Sequence, residues 1–305
     1  MTLRIGTRGS RLALLQAELV AAALRRRGVD VDLVEIKTSG DRLAHVALAD
    51  FGGKALFVKE IEEALLGERV DLAVHSLKDM PAELPAGLVL GACLAREDPR
   101  DVLVTRTGGT FADLPARSVV GTSSLRRRAL ALGRRTDLDL RPIRGNVDTR
   151  LAKLSDGLYD ALILAQAGLI RLGVSPAHAV LLSPDEFLPA VGQGIIAVEA
   201  RAADGRALEL LERVDDTRTR MEAIAERSFL CGLGAGCHTP VAGHARTGLS
   251  CMTIEGLVAS VDGQTVLRSS VSGPAAAAET LGRKLADELL ALGAGRLLAG
   301  DGAPS

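Results

Sequence analysis

The chain of 305 residues has no tryptophan, one tyrosine and five phenylalanines. So few rings argue against the stacking platforms that hold single-stranded nucleic acid. Cysteine is scarce as well. Cys93, Cys231, Cys237 and Cys251 form no CxxC pair and are too few for a disulfide framework, which points to a reducing cytoplasm. Cys231, Cys237 and His238 lack the spacing of a zinc site, so no metal is expected. No apolar run nears the roughly 18 residues of a membrane span, although mean hydropathy is +0.21. The opening Met1-Thr2-Leu3-Arg4-Ile5-Gly6 has neither the basic stretch nor the apolar core of a secretory signal. Lysine is the last shortage: of 37 basic residues six are lysine and 31 arginine, in a chain of net charge −1. GC-rich codons account for such a bias, and so does a site that grips carboxylate or phosphate with planar, bidentate donors. Placement along the chain decides between them.

What is present is an alternation of short apolar runs and amphipathic stretches. Strands are predicted at 3–7, 31–36, 71–75 and 88–94, and helices at 11–27 and 56–66. Leu12, Leu15, Leu19 and Leu24 mark one side of the first helix. The charged, proline-broken segment 96–101 reads as an interdomain crossing. A second series follows, with strands at 118–121, 139–143 and 160–164 entering helices at 123–132, 147–154 and 168–171. Residues 188–194 read as a return crossing, after which 195–199 rejoin the first sheet. From about 217 the texture changes to a helix at 219–230, strands at 241–245, 252–260 and 264–271, and a closing helix at 275–292. The alternation implies βαβ units in mostly parallel sheets, and the trailing strands a small α+β unit. The expected fold is α/β: domain 1 from 1–95 and 195–214, domain 2 from 100–190, two crossings between them, and domain 3 from 217–305.

In open α/β sheets ligands bind beyond the carboxyl ends of the strands. Arg8-Gly9-Ser10 follows the first strand, and Ser76-Leu77-Lys78-Asp79 follows the strand at 71–75. Thr122-Ser123-Ser124-Leu125-Arg126-Arg127-Arg128 follows 118–121, and Arg144-Gly145-Asn146-Val147-Asp148-Thr149-Arg150 follows 139–143. Each junction sets a cation beside small polar residues at a helix start, where free N–H groups, the helix dipole and a guanidinium together suit an anion. Ser and Thr are also ordinary N-caps; four such junctions facing one cleft favour the anion site. Residues 100–171 carry twelve Arg and Lys153 against seven Asp, so the basic charge concentrates in domain 2. No helix-turn-helix pattern accompanies it, and a small polyanion fits better than nucleic acid. Asp79 is a lone carboxylate in this cationic setting, suited to stabilising a developing cation or moving protons, or else to capping a helix or pairing with Lys78 at the surface. Cys237, after the glycines at 232, 234 and 236, is expected on a pliable loop that suits a nucleophile or attachment point, the alternative being a buried, inert thiol. Cys93, Cys231 and Cys251 lie in apolar or periodic segments and are expected in the core. His75 is expected in a structural hydrogen bond. Gly192-Gln193-Gly194 precedes a strand rather than a helix, which excludes a dinucleotide fingerprint, and Gly52-Gly53-Lys54 lacks the rest of a P-loop.

Six blocks together resemble the porphobilinogen deaminase (hydroxymethylbilane synthase) family. They are Arg8-Gly9-Ser10 on to Gln16, Gly52-Gly53-Lys54 on to Glu60, His75-Ser76-Leu77-Lys78-Asp79-Met80-Pro81, Gly121 to Arg127, Arg144 to Leu151, and Leu188 to Gly194. They keep family order and end with the Cys237 loop. The resemblance implies three domains, the first two like periplasmic binding proteins, in a monomeric enzyme of tetrapyrrole (haem, chlorophyll, corrin) biosynthesis. Its substrate would be porphobilinogen, four molecules of which are joined head to tail with loss of ammonia and released by hydrolysis as hydroxymethylbilane. A dipyrromethane cofactor would be held by a thioether to Cys237. By the same resemblance Asp79 is the catalytic carboxylate. Lys54, Ser76, Lys78, Thr122, Ser124, Arg126, Arg127, Arg144 and Gly145 contact the cofactor. Arg8, Ser10, Arg144, Arg150, Arg171 and Gln193 contact the substrate. Ala235 stands where the family often has Gly, and Arg11 where Pro is frequent; Arg128 and Asp148 carry no assigned role. A non-catalytic, anion-binding clamshell receptor is the competing reading, and it leaves the Cys237 loop unexplained.

Overall fold

The computed structural model describes residues 2–38, 58–236 and 239–299. Strand β1 (Leu3–Thr7) leads into helix α1 (Arg11–Arg25), β2 (Val31–Glu35), α2 (Lys59–Leu66), β3 (Leu72–Ser76) and β4 (Leu88–Cys93). Next come β5 (Asp101–Thr105), β6 (Val119–Gly121), α3 (Leu125–Leu132), β7 (Asp139–Arg141), α4 (Val147–Ser155), β8 (Ala161–Ala165), α5 (Gln166–Leu172) and β9 (Ala179–Leu181). The chain returns through β10 (Ile196–Arg201) and α6 (Gly205–Glu212). It then runs through α7 (Thr217–Gly232), β11 (Val241–Thr247), β12 (Met252–Ala259), β13 (Val266–Gly273), α8 (Ala278–Ala291) and α9 (Ala294–Leu298).

Two five-stranded sheets result, ordered β2-β1-β3-β10-β4 and β7-β6-β8-β5-β9. Each is mostly parallel, as expected, with one inverted strand. β10 runs antiparallel to β3 and β4, and β5 antiparallel to β8 and β9. These are the strands by which the chain enters each sheet from the other one. Because a crossing arrives at the end where its neighbours finish, its strand has to run back against them. β5 itself escapes the periodicity reading, since Asp101-Val102-Leu103-Val104-Thr105 is buried on both faces and shows no alternation. β9, of three residues, and α6 also go unpredicted.

Helix α1 starts where the Ser10 hydroxyl accepts the Ala13 N–H at 3.3 Å. Its buried stripe is Gln16, Ala17, Val20, Ala21 and Leu24, rotated from the leucine stripe of the prediction; Leu19 is exposed and Leu12 and Leu15 half-buried. Small side chains face the sheet because the helix lies close to it, while the leucines near its start reach toward domain 2, where Leu12 approaches Gly168 of α5. The C-terminal unit is an antiparallel meander, β11-β12-β13, covered by α7 and α8. Phe229 of α7 is fully buried over Gly243 and Gly256, whose missing Cβ atoms leave room for its ring. Leu257, Ala242 and Ala259 of this sheet pack with Phe187 and Leu188, joining the third unit to the second. The fold is therefore the expected α/β pair with two crossings and a small α+β domain.

Candidate active site

The inverted strands gather the site. Asp101 at the start of β5 pairs in register with Ala165 at the end of β8, and Ile196 at the start of β10 with Ser76 at the end of β3. Both crossings therefore meet the carboxyl ends of the parallel strands, where ligands bind in this class of sheet. They touch there: Glu97 N donates to Gly194 O at 3.0 Å, and Gly194, with φ +90°, has no room for a Cβ beside the Glu97 carbonyl.

At this meeting point Asp101 is fully buried. Its two oxygens serve different arginines of α3: Arg126 Nη1 lies 2.7 Å from Oδ2, and Arg127 Nη2 2.7 Å and Nε 3.0 Å from Oδ1. Arg127 Nη1 also donates to Ile163 O (2.9 Å), and Arg126 Nη1 to Leu188 O (2.8 Å). Among the described residues Arg126 Nε is buried without a partner. Gln193, fully buried on the return crossing, donates through Nε2 to Asp101 Oδ1 (2.9 Å) and Pro99 O (2.7 Å). Its Oε1 accepts from Lys78 Nζ at 3.3 Å. Lys78, Gln193, Arg126 and Arg127 thus form one connected cluster around a carboxylate.

Burial would raise the Asp101 carboxyl, but the charges of Arg126 and Arg127 outweigh it and hold it well below the usual range. Burial pushes the Lys78 amine down to about 8, helped by Arg127 and opposed by Asp79. Burial also lowers Arg150, with Arg127 adding to the effect and Asp79 opposing it, so the field of Asp79 reaches both Lys78 and Arg150. Asp79 itself ends a short 3₁₀ turn, Leu77–Asp79, and is exposed. An exposed carboxylate at the rim of a cationic cluster can meet a cationic substrate while the cations beside it hold that substrate's carboxylates.

The other candidates stand around this core. Arg171 Nη2 donates to Gly194 O at 2.6 Å, and burial lowers its guanidinium to about 10. Arg150 Nε donates to Gly145 O at 2.8 Å; Gly145 has φ +105° and would clash with Thr149 if it carried a Cβ. The Arg144 carbonyl accepts from Lys153 at 3.1 Å. Ser10 and Ser124 serve as N-caps, Ser124 accepting from Arg127 N at 3.4 Å, and Thr122 Oγ1 accepts from Ser124 N at 3.2 Å. An N-cap hydroxyl that accepts keeps its own proton to donate. Ser76 Oγ is bonded to Gln16, with Nε2 at 2.8 Å. Arg8 is half-buried at the end of β1. Arg11, without an assigned role in the sequence, pairs with Asp148 across the cleft at 3.5 Å. Lys54, Cys237 and His238 lie outside the described residues.

Two expectations are corrected. Cys93 is buried, and its thiol is pushed up to about 12 by that burial, but Cys231 and Cys251 are exposed. Cys231 sits in the last turn of α7, where Sγ donates to Glu83 at 3.4 Å, and Cys251 in the turn before β12. The segment 96–101 is a crossing only as far as Arg100, because Asp101 already belongs to β5. His75 pairs with Glu199 at 3.0 Å, both buried between β3 and β10. Asp101 is the residue that sequence reasoning missed. The available signal was a charged residue opening an uninterrupted apolar run.

Two α/β lobes with cations gathered at their strand ends, and the exposed Asp79 among them, define the class: a two-lobed α/β protein with a cationic cluster where its lobes meet. Comparison with known proteins goes further. Residues 3–209 match the family description "Porphobilinogen deaminase, dipyromethane cofactor binding domain", and residues 220–291 "Porphobilinogen deaminase, C-terminal domain". The porphobilinogen deaminase of Syntrophobacter fumaroxidans is 50% identical over 298 residues, covering 97% of this chain and 96% of that one. That of Syntrophotalea carbinolica is 50% identical over 299 residues, 97% and 95% of the two chains. The protein of the same name from Brevibacillus brevis is 47% identical over 299 residues, 97% and 96%. The chain belongs to the porphobilinogen deaminase family, and it is an enzyme with a dipyrromethane-binding domain.

Proposed function

We propose that this chain condenses four porphobilinogen molecules head to tail onto a dipyrromethane held by a thioether to Cys237, and then releases hydroxymethylbilane by hydrolysis. The observation that carries the reading is the cluster of Lys78, Arg126, Arg127, Arg150 and Gln193 beside the exposed Asp79. Each pyrrole ring bears an acetate and a propionate, so the donor set of this cluster fits the cofactor. The unpartnered buried Nε of Arg126 is a donor of the kind it needs. When bound, the dipyrromethane supplies a fixed pyrrole carbon at which the chain grows.

The protein's own residues do the rest. Lys54, Ser76, Lys78, Thr122, Ser124, Arg126, Arg127, Arg144 and Gly145 hold the cofactor carboxylates. Arg8, Ser10, Arg144, Arg150 and Arg171 hold those of the incoming porphobilinogen, while Gln193, expected among them, has both amide protons on Asp101 and Pro99 and positions Lys78 instead. As the aminomethyl C–N bond breaks and ammonia leaves, Asp79 stabilises the positive charge on the substrate carbon. A new C–C bond then forms, and Asp79 helps carry away the proton displaced from the attacked ring carbon. Domain 1 (1–95 and 195–214) and domain 2 (100–190) supply the two sides of the site, and domain 3 (217–305) carries Cys237. The enzyme works as a cytoplasmic monomer. The intact mass of the purified protein should exceed the sequence mass by one dipyrromethane, and Cys237→Ser should lose that increment. An unmodified protein inert toward porphobilinogen would sink the reading.

A further inference from the structure

Arg126 and Arg127 are neighbours in α3, and consecutive helix residues project about 100° apart. Something has to bring both guanidiniums to one place. Asp101 does so from outside the helix, one oxygen for each arginine, while fully buried. The same carboxylate accepts from Gln193, and Gln193 in turn accepts from Lys78. One residue at the start of β5 therefore ties α3 in the second lobe to Lys78 in the first, by way of the return crossing.

The donors divide unequally. Arg127 gives Nε and Nη2 to Asp101 and Nη1 to Ile163 O, so most of its five N–H donors are engaged within the protein. Arg126 keeps a buried Nε with no hydrogen-bond partner among the described residues. Two guanidiniums on one carboxylate also leave a surplus positive charge in a dry setting. A buried ion cluster is a poor way to gain stability, because desolvation offsets the attraction between its members. It is a good way to hold charge ready for an anion.

We infer that Asp101 is a positioning residue, which aims Arg126 at the ligand, with Arg127 as its brace, and steadies Lys78 through Gln193. The inference rests on the deaminase reading. Asp101→Asn keeps the shape and removes the counter-charge. Intact mass should show a several-fold smaller share of chains carrying dipyrromethane. kcat per loaded enzyme should fall about 10- to 100-fold, the scale of a misplaced binding group, and Asp101→Glu should recover part of both. If Asp101→Asn does not fold, Gln193→Met decides, since it leaves the ion pairs and cuts the link to Lys78. Lys78 then faces Arg126, Arg127, Asp79 and Asp101 with the Gln193 bond removed, and the alkaline limb of the turnover profile should move to lower pH. A lower melting temperature with unchanged loading and kcat in Asp101→Asn would overturn the inference and leave a structural ion pair. An unmoved limb and unchanged kcat in Gln193→Met would do the same. Wild-type protein without dipyrromethane or porphobilinogen turnover would overturn the deaminase reading along with it.

Discussion

Arg96 Nη1 lies 2.6 Å from Glu226 Oε1, both side chains buried, and this pair joins the first crossing to the third domain. Glu226 also accepts from Gly192 N at 2.6 Å and Ala245 N at 2.7 Å, and His244 Nδ1 stands 3.5 Å away. Both crossings and the start of the third sheet thus share one carboxylate.

Glu226→Ala should cost about 3 kcal/mol of stability, because it takes the nearer of two carboxylates from a buried guanidinium, leaving Glu222 at 3.6 Å, and unpairs two backbone donors. Urea unfolding measures this, and a loss below about 1 kcal/mol would mean that the pair is solvated. Burial alone would raise the Glu226 carboxyl, but Arg96 and His244 bring it down to about 2. A carboxyl lowered on folding stabilises above its unfolded pKa near 4.5, and that contribution fades as pH falls toward 2. The wild type should therefore lose more stability than Glu226→Gln between pH 5 and pH 2.

Asp79 is exposed, so Asp79→Asn should leave the melting temperature nearly unchanged. Turnover of porphobilinogen should fall about 10²- to 10⁴-fold, the usual worth of a positioned acid–base or charge-stabilising group. Ammonia release at the wild-type rate would refute its role.

Lys78 titrates at about 8. Below that pH it carries the charge that Gln193 and Asp79 face, and turnover should decline as pH rises through 8. Stability moves the other way. The unfolded lysine still binds its proton up to about 10.4, so the folded state gains between pH 8 and 10 on account of this residue. Lys78→Arg should push the limb of the turnover profile upward, since guanidinium stays charged. A limb that stays at 8 in that variant would assign the titration to another group.

Most of the fold was legible because it follows local rules. Ser10 and Ser124 cap helices where the polar residue precedes an amphipathic run, and β1, β3 and β8 end where their apolar runs end. β5 was hidden for a physical reason: a strand buried on both faces has no period to read, and its first residue looked like the tail of a charged linker. The exposed Cys231 and Cys251 show the same limit, since the class of a segment does not say which side of it meets water.

The chain's order of residues determined by itself the alternation of elements, the two crossings, the concentration of arginine in the middle third and the motifs that mark the family. All of these depend on neighbours in sequence or on composition. Tertiary structure alone decided which arginines share a counter-ion, because Asp101, Arg126, Gln193 and Lys78 come from four separate segments. Their meeting depends on two strands running backwards, and so does the charge left over in the cleft. Long-range ion pairing of that kind leaves no trace in local pattern, since a buried carboxylate and a surface one are the same letter until the fold removes the water around one of them.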